Sequence, residues 1–315
     1  MRRACSKSIL LSEVMRTGSP ASATSPIVVL DSGLGGLTVA RALRAALPYD
    51  DLLYFGDTAR LPYGTKSAAT ITSFVHQIIT YLLPRNPKHV VIACNTATAV
   101  ALPAIRAAFP TVPISGVIEP GSRAAVAAAG SKKTPVIGII ATEATIRSKA
   151  YEKAIHRRRH HARLLLRPTP LLVPIIEEGR RDDDPLVVLA VEQYLRPFLQ
   201  RGLDVLVLGC THYPMLKTLI ERTVGNSVGV IDSAERCAED VARRLQTASL
   251  LRGKGEGADG ADGTLRCFVT DDPPRFERLA TRFLGFEIDS PTWVSTDQLH
   301  ALLDDAPRQE MRSAS

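Results

Sequence analysis

His89-Val90-Val91-Ile92-Ala93-Cys94-Asn95-Thr96 and Asp204-Val205-Leu206-Val207-Leu208-Gly209-Cys210-Thr211-His212 share one design. Each is a short apolar run rich in β-branched residues, then a small residue, a cysteine, and polar residues suited to opening a helix. An unbroken apolar run of this length marks a strand buried on both faces, as in a parallel sheet covered by helices. The two copies lie about one domain's length apart. Two half-similar domains facing each other bring the two cysteines to opposite sides of one cleft.

Outward from this pair the pattern repeats. Further strands are predicted at Ile27–Leu30, Leu52–Phe55, Ile114–Val117, Val136–Ile140 and Val228–Ile231, with helical stretches between them. This alternation predicts an α/β fold of two similar domains, with mainly parallel sheets flanked by helices and the active site in the cleft between them. The expected division is a discontinuous first domain of residues 26–120 plus 231–300 and a second of 121–230. Residues 1–25, ending in a Gly, Ser and Pro-rich stretch, bury too little apolar surface to offset their ordering entropy and are expected to be a disordered tail. Gly253–Gly263 and residues 301–315 are expected to be flexible, and Met15 is an alternative initiator.

Composition supports the class. Hydrophobic residues make up 45% of the 315, aromatics only 5%, with a single Trp, which fits helices and buried parallel strands better than an aromatic-rich sandwich. The formal charge of +7 raises nucleic-acid binding. The densest basic run, His156–Arg163, has no interleaved aromatic for base stacking, so it reads as a solvated helix end complementing the helix dipole. Asp182-Asp183-Asp184 before Pro185 reads as a helix-starting loop. Ile9-Leu10-Leu11 is too short for a secretory core, and no 18-residue apolar run exists, so a cytoplasmic protein without a membrane partner is expected.

Five cysteines, at 5, 94, 210, 237 and 267, form no Cys-x-x-Cys pair, which points to a reducing compartment and to no metal site. A cysteine between a strand and a helix is well placed to carry a thiolate, because the helix N-terminus offers partial positive charge. Cys94 and Cys210 both have this setting; Cys5, Cys237 and Cys267 read as structural or incidental. Two thiols across a cleft suit inversion at a carbon acid, where one removes the α-proton and the other protonates the opposite face. A single Cys nucleophile with His212 as base is the competing reading, but it leaves Cys94-Asn95-Thr96 unexplained. Asp31-Ser32-Gly33-Leu34-Gly35-Gly36 fails as a dinucleotide fingerprint, since Thr38 stands where a third glycine belongs; its backbone can still approach a small anion.

Asp31-Ser32-Gly33-x-Gly35-Gly36, Pro62-Tyr63-Gly64, Ala93-Cys94-Asn95-Thr96-Ala97-Thr98-Ala99 and Leu208-Gly209-Cys210-Thr211-His212-Tyr213-Pro214 together resemble the glutamate racemases of the aspartate/glutamate racemase superfamily, from about Ile27 to Ser233. The resemblance implies cofactor-independent interconversion of L- and D-glutamate, D-glutamate for peptidoglycan synthesis and a homodimer, while the basic run, read as a helix end, gives no expectation of a nucleic-acid partner. It implies that Cys94 serves the α-proton of the D-enantiomer and Cys210 that of the L-enantiomer. Asp31, His212 and a glutamate assist, the glutamate being Glu177 or its neighbour Glu178. Substrate contacts carry over to Asp31, Ser32, Tyr63, Gly64, Asn95, Thr96, Thr211 and His212, with the Tyr63–Gly64 loop as a closing element. Departures are alanines in Ile139–Thr145 where family members often have glycines, and a slightly long acidic loop near Asp183. A racemase of aspartate or another small acid and a non-catalytic binder of an acidic amino acid are the alternatives.

Overall fold

A computed structural model of the chain describes residues 20–256 and 262–304. Cys5, Met15 and the rest of positions 1–19, the middle of the glycine-rich stretch (257–261) and positions 305–315 lie outside the described residues.

Among the described residues, ten strands form two wholly parallel sheets. They are β1 (Ile27–Asp31), β2 (Leu52–Gly56), β3 (His89–Ile92), β4 (Ile114–Gly116), β5 (Val136–Ala141), β6 (Arg163–Pro168), β7 (Val205–Gly209), β8 (Gly229–Asp232), β9 (Leu265–Val269) and β10 (Thr292–Trp293). The first sheet runs β10-β9-β2-β1-β3-β4 and the second β6-β5-β7-β8. Every residue of β1, β2, β3, β5 and β7 is buried, as expected where helices cover both faces. The two-domain α/β expectation therefore holds, and β8 straddles the expected boundary at 230/231 as an edge strand of the second sheet.

The helices are α1 (Leu37–Ala46), α2 (Ala68–Leu82), α3 (Asn95–Ala108), α4 (Ile118–Ala128), α5 (Glu143–Arg147), α6 (Ala150–His156), α7 (Leu172–Glu177), α8 (Pro185–Leu199), α9 (Lys217–Val224), α10 (Ser233–Thr247), α11 (Pro273–Leu284) and α12 (Thr296–Asp304). Several start where a short polar side chain satisfies a free backbone N–H. Asp184 accepts from Leu186 N–H at 2.8 Å with Pro185 at the first helical position, so the acidic run does open a helix. Asp232 does the same for α10, accepting from Ala234 N–H at 2.8 Å. That helix leaves the second sheet and packs on both α1 and α4, joining the two halves.

Two local readings are refined. The basic run is a helix end, a turn and a strand start in succession, for α6 stops at His156 and β6 begins at Arg163. Its arginines are engaged locally: Arg157 and Arg158 pair with Glu119, and Arg159 donates to the carbonyls of Gly130 and Lys132. Within the expected disordered tail, residues 20–25 include a turn closed by Ser25 N–H donating to the Ser22 carbonyl at 3.0 Å. The cause is Lys88, fully buried, whose ammonium pairs with Asp50 and donates to the carbonyls of Ala23 and Leu250. Burying that charge requires those partners, and they hold the segment in place.

Candidate active site

The carboxyl ends of β1, β3, β5 and β7 converge on a cavity of about 490 Å³ between the two sheets. This is where ligands enter open parallel sheets, because each chain leaving a strand exposes the unpaired N–H groups of the next helix. Ser32, Cys94, Asn95 and Thr96 line it from the first sheet's side, and Glu177, Cys210, Thr211 and His212 from the second's. Tyr63 and Gly64 form part of its wall.

Cys94 occupies the N-cap of α3, and its Sγ accepts from Ala97 N–H at 3.5 Å. Burial pushes this thiol up to about 12; the nearby Asp31 carboxylate adds to the shift, while hydrogen bonds from Ala97 N–H and Ser32 oppose it. Asp31 lies beneath the cavity, 1% exposed, with one carboxylate oxygen accepting from Gly33 N–H at 2.9 Å and the other, Oδ1, buried without a partner. Burial raises the Asp31 carboxyl, opposed by His212 and by the N–H groups of Gly33 and Gly36.

Cys210 follows β7, and its Sγ lies 3.7 Å from His212 Nδ1. His212 Nε2 lies 2.9 Å from Glu177 Oε1, so thiol, imidazole and carboxylate form one relay. Burial disfavours charge on His212, but Cys210 and Glu177 outweigh it and raise its pKa to about 10. A protonated ring donates from both nitrogens, which fits an acceptor on each side. Glu177 is the glutamate that reaches the ring; Glu178 points outward and pairs with Arg180. From α11, Arg282 donates to the Ile176 carbonyl at 2.9 Å, and Phe283 sets its ring edge-on to His212, 5.8 Å between centroids. The other half of the molecule thus braces the relay.

Close packing joins the two loops. A Cβ built on Gly35 would come within 2.3 Å of Thr211 Oγ1 and 2.4 Å of His212 Nδ1, so only glycine lets this backbone lie against the relay. Thr38 Oγ1 reinforces the contact by donating to the Thr211 carbonyl at 2.8 Å.

Thr142 and Glu143, after β5, line the cavity and were missed in the sequence. Thr142 Oγ1 lies 2.9 Å from Thr96 Oγ1 and caps α5. The strand-to-helix rule that singles out the cysteines applies equally here. Thr169, after β6, also lines the cavity and was missed, because β6 itself was not predicted. Tyr63 departs from expectation: its side chain is 2% exposed and its hydroxyl donates to Asp57 Oδ2 at 2.5 Å. Asp57 is also held by Arg60 and Thr270, so Tyr63 is an anchored wall rather than a free closing element. No group of three or more His, Cys, Asp or Glu among the described residues is arranged to hold a metal ion. No helix among them is long and apolar enough to cross a membrane.

Residues 37–241 match the family model of Asp/Glu/hydantoin racemases. The chain belongs to that racemase family. Within it, the chain is 45% identical to a glutamate racemase of Geobacter metallireducens over 271 residues, covering 86% of this chain and 97% of that one. Among solved structures, glutamate racemase isoform RacE1 from Bacillus anthracis superposes with a TM-score of 0.79 at 39% identity, covering 86% of this chain and 98% of that one. The Francisella tularensis glutamate racemase, solved in complex with D-glutamate, does so with 0.78 at 35% identity, covering 87% and 99%. The span matched by the racemase family model contains both Cys94 and Cys210 and the whole His212–Glu177 relay, whereas Asp31 and Ser32 precede it.

Proposed function

We propose that this racemase interconverts L- and D-glutamate without a cofactor, by two-base proton transfer between Cys94 and Cys210. The observation that carries the reading is that two cysteines, each at the end of a central strand of a different sheet, line one cavity. The likeness to glutamate racemases over most of the chain supports glutamate as the substrate.

In the L-to-D direction, the thiolate of Cys210, paired with a protonated His212 whose charge Glu177 balances, removes the α-proton of L-glutamate. Cys94, held as a thiol by its burial beside Asp31, delivers a proton to the opposite face. The D-to-L direction reverses the roles. No electron sink in this scheme delocalises the carbanion, so charge building on the α-carboxylate must be met by preorganised donors. Ser32, Thr96 and Thr211 and the backbone N–H groups after the strands supply them. The reading extends to a homodimer in a bacterial cytoplasm whose D-glutamate enters peptidoglycan synthesis.

Circular dichroism of L-glutamate incubated with the protein in deuterium oxide tests it. The expected result is decay of the signal to zero with deuterium at the α-carbon of the product. Persistence of the signal, or inversion without deuterium uptake, overturns the proposal.

A further inference from the structure

The carboxamide of Asn95 has two ends of nearly equal shape and opposite polarity, so what it offers a ligand depends on which end faces the cavity. Asn95 is the first residue of α3, 2% exposed, and lines the cavity directly after Cys94. Its Oδ1 accepts from the hydroxyl of Tyr151 at 2.7 Å. Its Nδ2 is buried and has no partner. A buried donor left unmatched is costly, and the cost is recovered when an acceptor arrives.

Tyr151 comes from α6, in the other half of the molecule, and does not line the cavity. It is 2% exposed and packs where glycines leave room: a Cβ on Gly209, the residue before Cys210, would lie 3.2 Å from its ring, and one on Gly121 would lie 3.7 Å from its hydroxyl. The ring is therefore fixed, and burial keeps its hydroxyl protonated and able to donate.

We propose that Tyr151 is a positioning residue: by holding Asn95 Oδ1, it turns Asn95 Nδ2 into the cavity as a dedicated donor for a substrate carboxylate. Without that hydroxyl the amide can turn over and present its oxygen to the carboxylate, which repels it. The inference deepens the proposed racemase reading and rests on it. Tyr151 acts through Asn95, so its contribution vanishes when Asn95 does.

The test is a double-mutant cycle on glutamate racemisation, with KM and kcat followed for both enantiomers in wild type, Tyr151→Phe, Asn95→Ala and the double variant. Tyr151→Phe keeps the ring and removes only the oxygen, and its melting temperature, measured alongside, checks that the fold is intact. The expected result is a KM about tenfold higher for both enantiomers with kcat within about twofold, as for lost binding that is equal in ground and transition states. In the Asn95→Ala background Tyr151→Phe is expected to have no further effect. An unchanged KM in Tyr151→Phe, or the same loss in both backgrounds, overturns the positioning role while leaving the racemase reading intact. Wild-type protein that does not racemise glutamate overturns both.

Discussion

Cys94 and Cys210 sit at matching strand ends, yet their surroundings differ. Cys94 is buried next to the Asp31 carboxylate, which with burial favours the protonated thiol. Cys210 is 3.7 Å from an imidazole that is itself anchored by Glu177. A shared backbone design thus carries two unlike electrostatic settings. The difference suits a pair in which one member starts as the acid and the other as the base, the arrangement that two-base inversion requires.

Removing either thiol breaks the comparison outright and carries the largest expected effect. Cys94→Ala and Cys210→Ala should each lower kcat/KM by about 10³ or more, in line with losing a positioned acid or base. Enantiomers have equal free energy in solution, so the loss must be the same in both directions, which initial rates from L- and D-glutamate will check. A variant of either cysteine with near-normal turnover would end the two-thiol account.

Next in size is the contact that keeps the two settings together. In Gly35→Ala the new methyl would enter the space of Thr211 and His212, whose nearest atoms lie at 2.3 and 2.4 Å. Either the loop or the imidazole must move. A displacement on the order of 1 Å at a catalytic group can cost about a hundredfold in rate. Steady-state kinetics should show kcat reduced to that extent in a protein that still folds, and full activity would mean the loop yields without disturbing His212.

Glu177→Gln sharpens the contrast by making the Cys210 side less supported. His212 is protonated in the folded protein up to about 10, above its ordinary value of 6.5. The raised value means that stability from this proton is complete below about 6.5 and is lost as pH rises through about 10. Glutamine removes one of the partners that hold the charge, so the alkaline limb of kcat/KM should move to lower pH, with about a tenfold loss at pH 8. An unmoved limb would show that Glu177 does not tune His212. Glu178→Gln, which alters only a surface pair with Arg180, is the matched control.

How much of this could be read in the sequence follows from what each part depends on. β1, β3, β5 and β7 were legible because residues buried on both faces leave a continuous apolar signature. β6 was not: it is an edge strand, half-exposed, and opens at the arginine that closes the basic run. β10 has two residues and no periodicity to detect. In the site, both cysteines were legible from position alone, because strand end and helix start are local properties. The pairing of Glu177 with His212 and of Tyr151 with Asn95 joins residues far apart in the chain, and no spacing rule encodes it. Glu177 was reached through resemblance, and Tyr151 only through the fold.

The remaining buried thiols test what distinguishes the pair. Burial pushes Cys237, in α10, and Cys267, in β9, up to about 12, the same value as Cys94. A raised thiol pKa therefore cannot mark a catalytic cysteine in this protein. Access can: Cys94 and Cys210 line the cavity, whereas Cys237 and Cys267 are packed into the core around Val241 and Val269. Cys237→Ala and Cys267→Ala should leave kcat/KM within about twofold and cost roughly 1 kcal/mol each through the small void created, a melting shift of about 2–4 °C. This is the smallest effect in the series and the one that isolates position from chemistry. If either substitution abolished racemisation without unfolding the protein, burial at a strand end over the cavity would no longer be what sets Cys94 and Cys210 apart.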